Sequence, residues 1–120
     1  MTFTYNTEKN GLESFFKPWQ IIAIQYLETN PEWANTLQIT NHVKEMKTIS
    51  RASIIQFLTA LKKTEILEYS ERTGKGGYQG LYRLKYREKE LRKILAKHII
   101  DSLLKNFPKE TKRVIKQIQL

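Results

Sequence analysis

The feature that most constrains this chain is a change of hydrophobic period near residue 65, followed by a change back near residue 88. Before it, apolar residues recur at helical spacing in three separate stretches. Across it they alternate, as on a half-buried strand, and a glycine-rich stretch interrupts the alternation. After it helical spacing returns and is sustained. Few folds place three short helices, one hairpin and a long helix in that order within 120 residues.

The local signals fix the elements. Residues 1–16 read as a loose arm, with a short helix near Leu12 to Phe16. Pro18 suits the first turn of a helix, where its missing N–H costs nothing. Trp19, Ile22, Ala23, Tyr26 and Leu27 then form one stripe, which Asn30-Pro31 ends. A second helix is expected from about Leu37 to Glu45, with Ile39 and Val43 on its buried face. Ser50 is a good N-cap for a third helix. Its stripe is Ile54, Phe57, Leu58 and Leu61, and it ends near Lys63-Thr64. In the first strand Leu67 and Tyr69 oppose Glu68 and Ser70. In the second, Tyr82, Leu84 and Tyr86 oppose Arg83 and Lys85. Thr73 to Gly80, with Gly74, Gly76, Gly77 and Gly80, is expected to be a flexible tip. A fourth helix spans roughly Glu88 to Lys105, and a short last one about Glu110 to Gln119.

This order is that of a winged helix-turn-helix: a mainly α (α+β) fold with a two-stranded wing, here followed by C-terminal helices. Three parts are expected: an N-terminal arm (1–16), a winged-helix DNA-binding domain (17–86) and a C-terminal helical dimerisation extension (87–120). In this class the third helix enters the major groove of double-stranded DNA. Its exposed residues are Ser50, Arg51, Ala52, Ser53, Gln56, Thr59 and Lys63. Arg pairs with guanine O6 and N7 and Gln with adenine N6 and N7, while small side chains allow close approach to the groove. In the wing, Arg72, Lys75, Arg83 and Lys85 flank the tip and are candidates for phosphate or minor-groove contact. The plain alternative for each is a solvated surface. Along the fourth helix, with Leu91, Leu95, Ile99, Leu103 and then Phe107 assigned to dimerisation, much of the stripe can pack on Trp19, Trp33 or Phe16 of its own chain, but Leu95, Ile99, Leu103 and Phe107 are too many for that. A second copy of the chain would bury them.

Charge and composition narrow the function. Residues 1–60 carry five basic and five acidic side chains, so the net charge of +9 resides in 61–120, with 16 basic and seven acidic. Such an excess suits a polyanionic partner. The absence of cysteine removes disulfides, thiolate catalysis and cysteine zinc sites. No apolar run suits a membrane span, the start lacks the pattern of a secretory signal, and a cytoplasmic location is expected. His42 and His98 lie on different helices without metal-ligand spacing, and no serine has a GxSxG setting. No enzyme, metal or cofactor is expected.

Residues Lys17 to Phe107 resemble the penicillinase-repressor family of winged-helix regulators. The likeness rests on Trp19-Gln20-Ile21-Ile22, on Ile39-Thr40-Asn41-His42-Val43 with a six-residue step to Ile49, on Ile49-Ser50-Arg51-Ala52-Ser53-Ile54 continuing to Leu58 and Leu61, and on Gly80-Leu81-Tyr82-Arg83-Leu84. Ile49 stands where that family has Trp, Ala60 where many members have Arg, and Glu65 where a Gly usually ends the third helix. The glycine-rich wing is also longer. The resemblance implies a homodimeric repressor on a roughly palindromic operator. It also implies release by cleavage at an Asn–Phe bond, for which Asn106-Phe107 stands at a matching place. Against that, Pro108 follows at once and Asn is common where helices end, which is the preferred reading. PadR-type and multiple-antibiotic-resistance-type regulators share this architecture. Two other functions fit the same residues: a protein–protein interaction module, and a nonspecific architectural DNA-binding protein. Specific DNA binding requires the basic wing and the polar start of the third helix to lie together.

Overall fold

The computed structural model describes residues 3–74 and 77–119. A 3-10 turn at Gly11–Ser14 precedes α1 (Pro18–Thr29), β1 (Ala34–Asn35), α2 (Thr36–Lys44), α3 (Arg51–Lys62), β2 (Leu67–Gly74), β3 (Gly77–Leu84), α4 (Glu88–Asn106) and α5 (Pro108–Ile118). The strands form one antiparallel sheet in the order β1-β3-β2. Three helices, a three-stranded sheet and a protruding β2–β3 hairpin make a winged helix.

Capping sets where the helices begin. The Gln20 side chain accepts from the Lys17 N–H at 2.8 Å, with Pro18 opening α1. Asn35 and Gln38 bond reciprocally at 2.8 Å each and start α2. Ser50 Oγ accepts from Ser53 N–H at 3.1 Å and starts α3 as expected. Each of these bonds satisfies an N–H that the helix itself leaves free.

The core joins Ala23, Ile24 and Leu27 of α1 to Ile39 and Val43 of α2. Ile54, Phe57, Leu58 and Leu61 of α3 complete the helical side, and Leu67, Tyr82 and Leu84 the sheet side. Ile24 is fully buried although it lies outside the expected stripe. Helix α1 is apolar on several sides, so periodicity alone does not select its inner face.

Four expectations are corrected. The arm is docked rather than loose: Phe16 and Ser14 are buried, and Phe3 meets Phe15, Phe16 and His98 with ring centroids 6.3, 6.1 and 5.0 Å away. Aromatic burial outweighs the polar composition of this segment. Strand β1 was not foreseen, since two residues are too few for a period to register. In the wing, Thr73, Gly74 and Gly77 to Gly80 belong to the ladder, which runs from Leu67↔Leu84 to Gly74↔Gly77. Gly77 takes φ +98 at the turn, and a Cβ on Gly80 would sit 3.0 Å from the Tyr69 ring.

The fourth correction concerns α4. Leu91 and Leu95, expected to bind a second subunit, are fully buried within their own chain. Ile99 is half-buried and, with Ile100, lines a cleft of about 410 Å³ against Tyr5, Leu12 and Phe15 of the arm. The cause is geometric. A four-residue step advances about 40° beyond a full helical turn, so the ladder from Leu91 to Phe107 rotates by about 160°. Its start faces the core and its end faces solvent. Leu103 and Phe107 are exposed, Phe107 by 58%. They are joined by Val114 and Ile118 of α5, which buries none of its residues. Asn106 closes α4, and Thr111 Oγ1 bonds the Leu103 carbonyl at 3.0 Å to set α5 against it.

Candidate nucleic-acid interface

Helix α3 divides along its length. Ile54, Phe57, Leu58 and Leu61 hold one side in the core. Arg51, Ala52, Ile55, Gln56, Thr59, Lys62 and Lys63 are exposed. On a helix of 3.6 residues per turn, Ala52, Gln56, Thr59 and Lys63 form the centre of the outward face, with Arg51, Ile55 and Lys62 along one edge. Ser50 and Ser53 are spent on the cap, their hydroxyls 2.9 Å apart. Ser53 and Gln56 also line a groove of about 780 Å³ shared with Phe3, Phe16, Trp19 and Lys17. The residues expected at the start of the helix therefore separate into an outward set and a set turned toward the arm.

Two outward residues escaped the sequence reading. Ile55 is adjacent to the buried Ile54, and two successive isoleucines look like one core. It is exposed, and an apolar side chain there suits a thymine methyl. Lys62 lies over the Tyr69 ring, Nζ 4.1 Å from its centroid, which ties the last turn of α3 to the wing. Tyr69 in turn donates to Glu71 at 3.0 Å. Its phenol is raised above the usual tyrosine value by desolvation first, then by the bond to Glu71, and stays protonated as the donor.

The wing is less basic than its cations suggest. Arg83 bonds Glu68 at 2.8 Å and its guanidinium stacks 4.3 Å from the Trp33 ring centroid. Half-buried at the base of the wing, Arg83 is held by Glu68 and Trp33 and does not project freely. Arg72 is exposed and donates to Gln79 at 2.8 Å. Lys85 is exposed near Tyr86. Lys75 lies outside the described residues. The charge excess is spread more widely than the wing. Residues 61–87 carry seven basic and three acidic side chains, and residues 88–118 carry nine and four. More than half of the net charge thus sits on α4 and α5. On α5, Lys109, Lys112, Arg113 and Lys116 fall opposite Val114 and Ile118.

Both histidines pack against aromatic rings. His42 packs on Tyr26, ring centroids 4.6 Å apart, and His98 sits between Phe3 and Glu65, its Nε2 3.0 Å from the carboxylate. Among the described residues no group of three or more His, Asp or Glu side chains could hold a metal, and no helix is long and apolar enough to cross a membrane.

Among solved structures, a possible transcriptional regulator from Methanosarcina mazei Go1 is similar to this chain. The TM-score is 0.59 at 17% identity, over 88% of this chain and 81% of that one. At that identity the likeness speaks for the fold. No family model matches the chain, and neither does any curated protein.

Proposed function

We propose that this chain is a double-stranded DNA-binding transcriptional regulator, a repressor that reads a roughly palindromic operator as a homodimer. One observation carries the reading: α3 is anchored by its apolar side while Arg51, Ala52, Ile55, Gln56 and Thr59 are exposed beside a projecting wing. That is the geometry a recognition helix needs, with rigid support behind and base-reading groups in front. The similar structure from Methanosarcina mazei Go1, described as a possible transcriptional regulator, agrees with it. Within this class, the spacing from Val43 to Ile49 and through α3 favours a relative of the penicillinase repressors. The exposed Leu103, Phe107, Val114 and Ile118 give the second subunit its surface.

Duplex binding should be strongly salt-dependent. If the dimer neutralises about six phosphates, log K falls against log[salt] with a slope near −5. A flat response in a fluorescence-anisotropy titration contradicts the proposal. Arg51→Ala should weaken binding to a selected duplex by about 1–3 kcal/mol and relax base preference at one position in each half-site. Unchanged preference removes Arg51 from the reading face. The positive charge on α4 and α5 favours a second reading, nonspecific architectural binding. That reading predicts the same salt slope but equal affinity for selected and unselected duplexes.

A further inference from the structure

Resting on the DNA-binding reading, we infer that Tyr78 is a minor-groove residue that stacks on the duplex beside the α3 footprint. The wing is longer than its packing requires. Leu67, Tyr82 and Leu84 are in the core, whereas Glu71 to Gly74, Gly77 and Tyr78 are exposed. From Ser70 to Thr73 the ribbon advances about 10 Å into solvent.

The described part of that projection has little charge to offer. On the face that Tyr78 occupies it carries Glu71 and Thr73 and no cation, since Arg72 lies on the opposite face, bonded to Gln79. What it presents instead is Tyr78, 82% exposed and opposite Thr73 in the ladder. An aromatic ring at the end of a two-stranded ribbon gains almost nothing for the fold.

Its direction is set by register. Side chains alternate along β3, so Tyr78, Gly80 and Tyr82 share one face, and Thr73, Glu71 and Tyr69 share it across the pairs. Tyr69 and Tyr82 stack with centroids 5.2 Å apart, and the missing Cβ of Gly80 leaves room for the Tyr69 ring. On that same face Lys62 of α3 lies over Tyr69. Tyr78 therefore stands on the side of the wing that α3 borders, about 10 Å or more beyond the contact at Tyr69. With α3 in a major groove, that position meets the neighbouring minor groove. An aromatic ring there stacks on sugar or an opened base step. Such contact favours pyrimidine–purine steps, which unstack at low cost.

The test uses the full chain and a duplex it has selected from a random pool, with 2-aminopurine placed at the flanking step. Tyr78→Ala should lower affinity about tenfold, the loss of one stacking contact. It should also reduce the 2-aminopurine fluorescence rise while leaving the salt slope unchanged. Tyr78→Phe should keep both signals. Native affinity in Tyr78→Ala overturns the inference, as does an equal loss in Tyr78→Phe, which marks a hydrogen bond from the phenol to phosphate and not a stacked ring. In either case the Arg51 effect survives and the regulator reading stands. Failure of the native chain to bind any duplex overturns both.

Discussion

A chain carrying Leu103→Asp and Phe107→Asp is expected to sediment as a monomer and to lose about 100-fold or more in affinity for a two-half-site duplex. The two side chains are exposed in the isolated protomer, so aspartate costs little there. In a paired interface each carboxylate would be desolvated without a partner, at a cost of several kcal/mol. Once the subunits separate, the second half-site is no longer bound at high effective concentration, and avidity of about 10²–10⁴ disappears. Sedimentation velocity and anisotropy on the same sample read the two effects. Circular dichroism checks that helix content is retained. A double variant that remains a dimer contradicts the assignment of this face to the second subunit.

Leu91→Ala is expected to act quite differently, although both residues belong to one ladder on α4. Leu91 is fully buried within its own chain, among the residues of the central core. Truncating it removes apolar burial and leaves a cavity, and the loss of stability should be about 2–5 kcal/mol. Urea unfolding measures this from the shift in midpoint at constant slope. If Leu91 bridged subunits, the loss would instead depend strongly on protein concentration. A small loss, or one that vanishes at high concentration, contradicts the placement of Leu91 in the core.

These two predictions mark how far the sequence could be read. Stripes and caps located the five α-helices of the described residues, and Ser50 announced the start of α3 correctly because its hydroxyl acts locally. The limits came from tertiary context. A four-residue ladder on α4 looked like one face, and only its rotation separates Leu91 from Phe107. Ile55 was hidden beside Ile54, since two adjacent apolar residues leave open which one turns inward. Composition marked the first 16 residues as loose, yet Phe3, Phe15 and Phe16 cluster once α1 and α4 provide surfaces. Arg83 looked free because its partners, Glu68 across the ladder and Trp33 beside it, are 15 and 50 positions away in the chain.

The same reasoning changes what the net charge means. The excess of +9 lies in residues 61–120, and within them Arg83 of the wing pairs with Glu68 while α4 and α5 hold more than half of the net charge. Charge therefore accounts for attraction to a polyanion and steering toward it. In the proposed regulator, discrimination falls to the exposed side of α3, where Arg51 and Ile55 would meet base edges.

Selection of bound duplex from a random-sequence pool by the full chain tests that division most directly. The account predicts an enriched inverted repeat with half-sites about 10 base pairs apart, centre to centre, as two recognition helices related by a two-fold axis require. A pool that stays diffuse after repeated rounds, or one that yields no retained duplex, contradicts it.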